Sequence, residues 1–228
     1  MSSLTVAPTS ATPRRWLLLV ELLIVAALFY GDFKHLVPIS KTPFLFLLAW
    51  VSLRARKLRW KNVGLKRSES WLKTILIGVS AGIGIELLEL FVTQPLLVRL
   101  NGKMPDLSQF QVLRHNPQIL LLGLALTWTL AAFGEEMVYR GYLMNRIAEI
   151  GRNSRSAWIV SLVLANVLFG AAHMGQGITG MIENTLDGIL LGVLYWHGKC
   201  SLATPIIAHG VTDTVDLLLL FLGHYPGV

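Results

Sequence analysis

The chain has 228 residues, 54% of them hydrophobic and 14% charged, with a mean hydropathy of +0.59. Soluble domains carry about 25% charged residues, so the composition excludes an ordinary soluble enzyme and indicates one integral membrane domain of several helices. The net charge of +7 is not a nucleic-acid signature, because the basic residues cluster between apolar runs, and the single Cys200 excludes an internal disulfide.

Met1 to Pro13 is polar and small, the composition of a disordered tail. Arg14 and Arg15 precede the apolar run Trp16–Tyr30, as in a secretory signal. That run ends in Phe29-Tyr30-Gly31-Asp32-Phe33 without a small-x-small cleavage pattern, so it reads as an uncleaved first span. Further apolar stretches lie near Leu36–Leu53, Leu72–Leu96, Gln118–Tyr142, Ala157–His173, Ile178–Trp196 and Leu202–Leu222. Each approaches the roughly 20 residues of a spanning helix. The elements predict an all-α, multi-pass transmembrane bundle of about seven to eight spans.

With the N-terminus inside, fifteen of the 20 Lys and Arg fall on the inner side. Lys34, Lys41, Arg99, Lys103 and Arg114 fall outside, a bias that places the N-terminus in the cytoplasm of a cell-membrane protein. The basic stretch Arg54–Arg67 reads as a topology determinant in preference to a lipid-headgroup site.

The ionisable residues within these runs carry the functional signal, because charge inside a membrane is costly and seldom kept without a use. Glu135 and Glu136 sit late in the fourth apolar run. Neighbours on a helix point about 100° apart, so the two cannot share one role. Arg140 follows Glu136 by four residues, the order that favours an ion pair. Glu135 is then free to face a cavity as a general base. His173 ends the fifth run, with Phe169 and Asn166 on its face, and His209 shares a stripe of the last run with Asp213 and Asp216. A carboxylate beside His209 would orient its ring. Glu86, Glu89, Glu183, Asn184 and Asp187 are placed to line the same cavity, to pair with bases or to bind a substrate cation; spacing does not choose among these.

The pattern Gly78-Val79-Ser80-Ala81-Gly82 matches a nucleophile elbow, but that device needs a strand-to-helix turn and here falls inside an apolar helix. It reads instead as small residues packing helices closely. No zinc-binding His-Glu-x-x-His helix and no phosphate-binding Walker lysine motif occurs.

Three fragments in order, Glu135-Glu136-x-x-x-Arg140, Phe169-x-x-x-His173 and His209-x-x-x-Asp213, resemble the CPBP family of intramembrane proteases. That family comprises the CAAX-processing Rce1-type enzymes and bacteriocin-processing or immunity (Abi) proteins. The resemblance covers about Gln118 to Leu222; the first hundred residues match only in hydropathy. It divides the chain into the tail at 1–13, helices with a basic loop at 14–117, and a catalytic core at 118–222. It implies a bundle enclosing a polar, water-filled cavity. In that cavity Glu135 and His173 would activate water, His209 and Asp213 would stabilise the oxyanion, and Glu136 and Arg140 would hold the site.

Two features depart from that pattern. The Rce1 type has Asn where this chain has Asp213, and an ionised Asp accepts hydrogen bonds but cannot donate them. Counting from the predicted span starts at 1.5 Å per residue also puts His173 roughly 25 Å deep and His209 only about 10–12 Å; a tilted or late-starting fifth helix would reconcile them. Glu135, His173, His209 and Asp213 are all competent zinc ligands, but the expectation leans to metal-free hydrolysis by glutamate-activated water.

The sequence therefore predicts an intramembrane endopeptidase acting on a membrane-associated peptide or protein in the lipid bilayer, with prenylated CAAX-type or bacteriocin-like substrates as candidates. The alternatives are an ion-coupled transporter, supported by the spread of acidic residues, and a non-catalytic immunity or interaction protein. No nucleic-acid partner is expected, and no motif sets an oligomeric state.

Overall fold

The computed structural model describes residues 15–37 and 40–226. The expected tail at 1–13 lies outside the described residues. Helices α1 (Arg15–Phe33) and α2 (Thr42–Ala55) are followed by α3 (Trp71–Asn101), α4 (Pro117–Ile150), α5 (Arg155–Ala171), α6 (Gly177–His197) and α7 (Ala203–Leu222). The described residues contain no strand.

Local chemistry explains several helix ends. Ser70, Asn116 and Ser154 each accept a hydrogen bond from the backbone N–H three residues on, capping α3, α4 and α5. Pro117 occupies the first turn of α4, where its missing N–H costs nothing. Gly102 and Gly223 close α3 and α7 with φ of 73° and 69°, a left-handed conformation that glycine adopts without strain.

Residue contacts give each helix its direction. Lys41 meets Asp32 at the α1–α2 turn, and Ser52 reaches back to Glu21, so these two helices are antiparallel. Thr42 faces Glu135 and Arg56 faces Glu149, so α2 runs parallel to α4. Trp158 stacks on Trp196 at 6.1 Å while Gly170 abuts Thr185, which makes α5 and α6 an antiparallel hairpin. Gly78 lies against Ile207 and Gly82 against Val211, so α3 and α7 are parallel. A Cβ on Gly82 would sit 2.5 Å from the Ala208 carbonyl. The Gly78–Gly82 stretch is thus a helix-packing surface within α3.

Four helices, the segments Trp16–Phe33, Trp71–Asn101, Pro117–Ile150 and Ala203–Leu222, are each long and apolar enough to cross a membrane. The α5–α6 pair qualifies jointly as a fifth. This is fewer than the seven to eight spans expected from hydropathy. The 14-residue α2 is only about 21 Å long at 1.5 Å per residue, against a hydrocarbon core of about 30 Å. The fifth and sixth apolar stretches are the two arms of one hairpin. Leu23, Leu72, Phe91 and Leu121 are largely exposed on the outer faces of their helices, as side chains in contact with lipid would be. The main core lies between α4, α5 and α6, where Met137, Tyr139, Tyr142, Met144, Ala165, Phe169 and Tyr195 are buried.

Candidate active site

Glu135 and Glu136 lie where two stretches of wide π-helical winding meet, Thr127–Glu135 and Met137–Met144, inside the long α4. Such winding is uncommon and concentrates at functional sites. The two carboxylates point to different sides. Glu135 faces a pocket, while Glu136 is completely buried. Its Oε1 accepts from Arg140 Nη1 at 2.5 Å and from His209 Nδ1 at 2.9 Å. Arg140, equally buried, also donates from Nη2 to the Gly188 carbonyl at 2.9 Å. Gly188 leaves the space for this: a Cβ there would sit 3.1 Å from Nη2 and 3.0 Å from the Phe169 ring.

Phe169 organises the two histidines. Its ring lies 4.9 Å from His173 and 5.8 Å from His209, and the Arg140 guanidinium sits 4.7 Å above it. Contact with one phenyl ring brings the histidines together, although counting along the spans put them at unequal depth. A late start of α5 is not the reason, since α5 begins at Arg155. His173 Nδ1 meets the Phe169 carbonyl at 2.9 Å. A carbonyl only accepts, so Nδ1 carries the proton and Nε2 offers a lone pair. On the other ring, Nδ1 faces Glu136 and Nε2 lies 3.6 Å from Asp213 Oδ1. The sequence placed Asp213 beside His209, but not Glu136, which comes from another helix.

Glu135, His173, His209 and Asp213 line a single pocket of about 490 Å³. Glu136 and Arg140 stand behind its wall. The start of α2 closes one side: Thr42 Oγ1 donates to Glu135 Oε1 at 3.4 Å. Lys41 Nζ donates to the Ala172 carbonyl, next to His173, at 3.2 Å and pairs with Asp32 at 2.6 Å. Sequence reasoning missed Lys41 and Thr42; Pro43 marks a helix start there, but nothing local shows which helix end it faces. A second missed group lies outside the pocket. Glu21 accepts from Ser52, Tyr142 and Arg146, and Arg146 also pairs with Glu149.

Glu89, Glu183, Asn184, Asp187 and Asp216 line the same pocket, together with apolar residues that include Phe110, Ile119, Leu122, Leu126 and Leu220. The four acids and Asn184 left undecided by spacing are thus gathered near the site, with Glu86 buried behind the others. Asp216, expected beside Asp213 and His209, is turned towards Glu86.

Zinc held by Glu135, His173, His209 and Asp213 would need at least three of them at one point. Among the described residues no three His, Cys, Asp or Glu side chains converge in that way. The donor set therefore does not fit a zinc centre. Cys200, between α6 and α7, is half-buried, and burial pushes its thiol above the ordinary value.

Residues 117–215 match the family model described as Type II CAAX prenyl endopeptidase Rce1-like. The match spans α4, the α5–α6 hairpin and most of α7. Over these residues, less than half of the chain, the protein is similar to that family of CAAX prenyl endopeptidases. No curated protein and no solved structure matches the chain.

Proposed function

We propose that this Rce1-like chain is an intramembrane endopeptidase that hydrolyses a peptide bond of a membrane-associated protein or peptide, with Glu135 and His173 activating the attacking water. The observation that carries this reading is the meeting of Glu135, His173, His209 and Asp213 in one pocket. Behind them, Glu136 and Arg140 form a fully buried pair.

In this reading water sits between the Glu135 carboxylate and His173 Nε2. Glu135 takes a proton as the water oxygen attacks the scissile carbonyl carbon, and Nε2 accepts the second O–H and aims the oxygen lone pair. The oxyanion forms beside His209. With Glu136 at Nδ1 and Asp213 at Nε2, His209 is set to carry both ring protons and to donate Nε2–H to that oxygen. Collapse of the tetrahedral intermediate breaks the C–N bond, and Glu135 returns its proton to the leaving amine. Peptide and water become a carboxylic acid and an amine, with no group left on the enzyme.

The apolar wall suits a substrate that brings a hydrophobic chain into the pocket. A prenylated CAAX-type C-terminus meets that description, and so does an apolar bacteriocin-like peptide. The charge bias favours a cell-membrane protein with its N-terminus in the cytoplasm.

The test is cleavage of a membrane-peptide library, including prenylated members, by purified wild type and Glu135→Gln in detergent. Cleavage by wild type and a loss of about 10²–10⁴-fold in the variant, with unchanged melting, is the expected result. Equal cleavage by both folded proteins would sink the role of Glu135. No cleavage by wild type would favour the transporter reading.

A further inference from the structure

Six carboxylates line the pocket, from Glu89, Glu135, Glu183, Asp187, Asp213 and Asp216, and among the described residues no Lys or Arg does. Two are near the reacting centre as described: Glu135 and Asp213. The other four form an acidic wall contributed by α3, α6 and α7. Like charges on one wall repel, and taking ionised carboxylates out of water costs several kcal/mol each unless they are paired. Three other acids of this protein have bases: Glu21 has Arg146, Glu136 has Arg140, and Glu149 has Arg146 and Arg56, whereas Glu86, buried behind the wall, has none among the described residues. The acidic wall has none.

Glu183 gives this cluster a direction. It is 2% exposed, it lines the pocket, and its Oε1 has no hydrogen-bond partner. A buried acceptor without a donor is costly, and Glu183 makes no side-chain hydrogen bond to the described residues while lining the pocket. No three of these acids converge in metal-ligating geometry among the described residues, whereas an ammonium with three N–H groups, or a guanidinium with five, can serve several separated carboxylates.

We propose that the wall formed by Glu89, Glu183, Asp187 and Asp216 is a specificity subsite that receives the cationic side chain, lysine or arginine, of a peptide whose apolar part lies against the apolar residues of the same pocket. The proposal rests on the endopeptidase reading and adds the substrate class: an apolar, membrane-associated peptide with a basic residue close to the scissile bond. The cation supplies the missing donors, so the subsite contributes chiefly to substrate binding and Glu135 to the chemical step.

The experiment uses three peptides identical except at one position near the cleaved bond, carrying Lys, its neutral isostere norleucine, or Glu. Wild type is expected to cleave the Lys peptide at least about tenfold better in kcat/KM than the norleucine peptide, the scale of a hydrogen bond to a charged group, and the Glu peptide worst. The double substitution Glu183→Gln with Asp187→Asn is expected to raise KM for the Lys peptide until the preference over norleucine is gone. Wild type that treats Lys and norleucine alike, or a double variant that keeps the full preference, overturns the subsite. Fluorescence anisotropy of the same peptides on Glu135→Gln separates the two readings. If no peptide is cleaved by wild type, tighter binding of the Lys peptide still supports the cationic subsite while the peptidase reading falls. Equal binding of all three peptides overturns the subsite. Calcium binding to the wall with no lysine preference overturns it as well, by assigning the acids to a metal.

Discussion

Glu136 on α4 accepts the Nδ1–H of His209 on α7 at 2.9 Å. The same oxygen takes the Arg140 guanidinium, so one buried atom joins the arginine to the histidine proposed to meet the oxyanion. Arg140 in turn holds the Gly188 carbonyl of α6 and lies over Phe169 of α5. Four helices thus register on one ion pair.

This arrangement makes Glu136 a positioning residue that is also needed for stability. Glu136→Ala leaves the Arg140 charge buried without its partner, and breaking such a pair costs about 3–5 kcal/mol. A thermal melt in detergent is expected to show a large loss of stability. Glu136→Gln keeps the shape and one acceptor, so it should fold better than the alanine variant, yet lose activity because His209 is no longer held between two carboxylates. Full activity in Glu136→Gln would show that His209 does not depend on this contact.

Asp213 offers a sharper test of the oxyanion assignment. An ionised aspartate cannot donate to an oxyanion, whereas asparagine always can. If Asp213 acts there as a donor, Asp213→Asn retains or raises kcat and Asp213→Ala loses it. A drop of about 10²-fold or more in the asparagine variant, the scale of removing a group the transition state depends on, would mean that the ionised form is needed to hold His209 Nε2.

The Glu21 network should behave as structure only. Glu21 joins α1 to α2 and α4 through Ser52, Tyr142 and Arg146, and none of these residues lines the pocket. Glu21→Ala leaves Arg146 buried with one fewer partner, and a loss of up to about 3–5 kcal/mol is expected. Peptide preference measured on the surviving folded fraction should be unchanged. An altered preference would place α1 in substrate selection.

Cys200 should be silent. Burial raises its pKa, so less thiolate, the reactive form, is present at neutral pH. Alkylation of the folded protein is expected to run about tenfold slower than that of an exposed thiol, and Cys200→Ser should retain peptide cleavage. Rapid inactivation by maleimide would contradict the glutamate-based reading.

The sequence by itself determined that the described residues are helical, with segments long and apolar enough to cross a membrane, because composition and apolar run length are additive properties that need no contacts. It also determined the Glu136–Arg140 pair, since residues four apart on one helix meet whatever the fold does, and it separated Glu135 from Glu136 by the same helical geometry. The tertiary structure alone decided what lies between helices. Glu136 reaching His209, Thr42 reaching Glu135, and Lys41 holding the carbonyl beside His173 join residues 73, 93 and 131 positions apart, and no local pattern encodes such pairs. Hydropathy could not show that α5 and α6 close into a hairpin or that α2 is too short to cross unaided, because it measures apolar length and not direction or helical extent. The gathering of Glu89, Glu183, Asp187 and Asp216 on one wall followed for the same reason: each acid was visible in its own span, but only packing fixed which faces turn inwards and left that wall without a base.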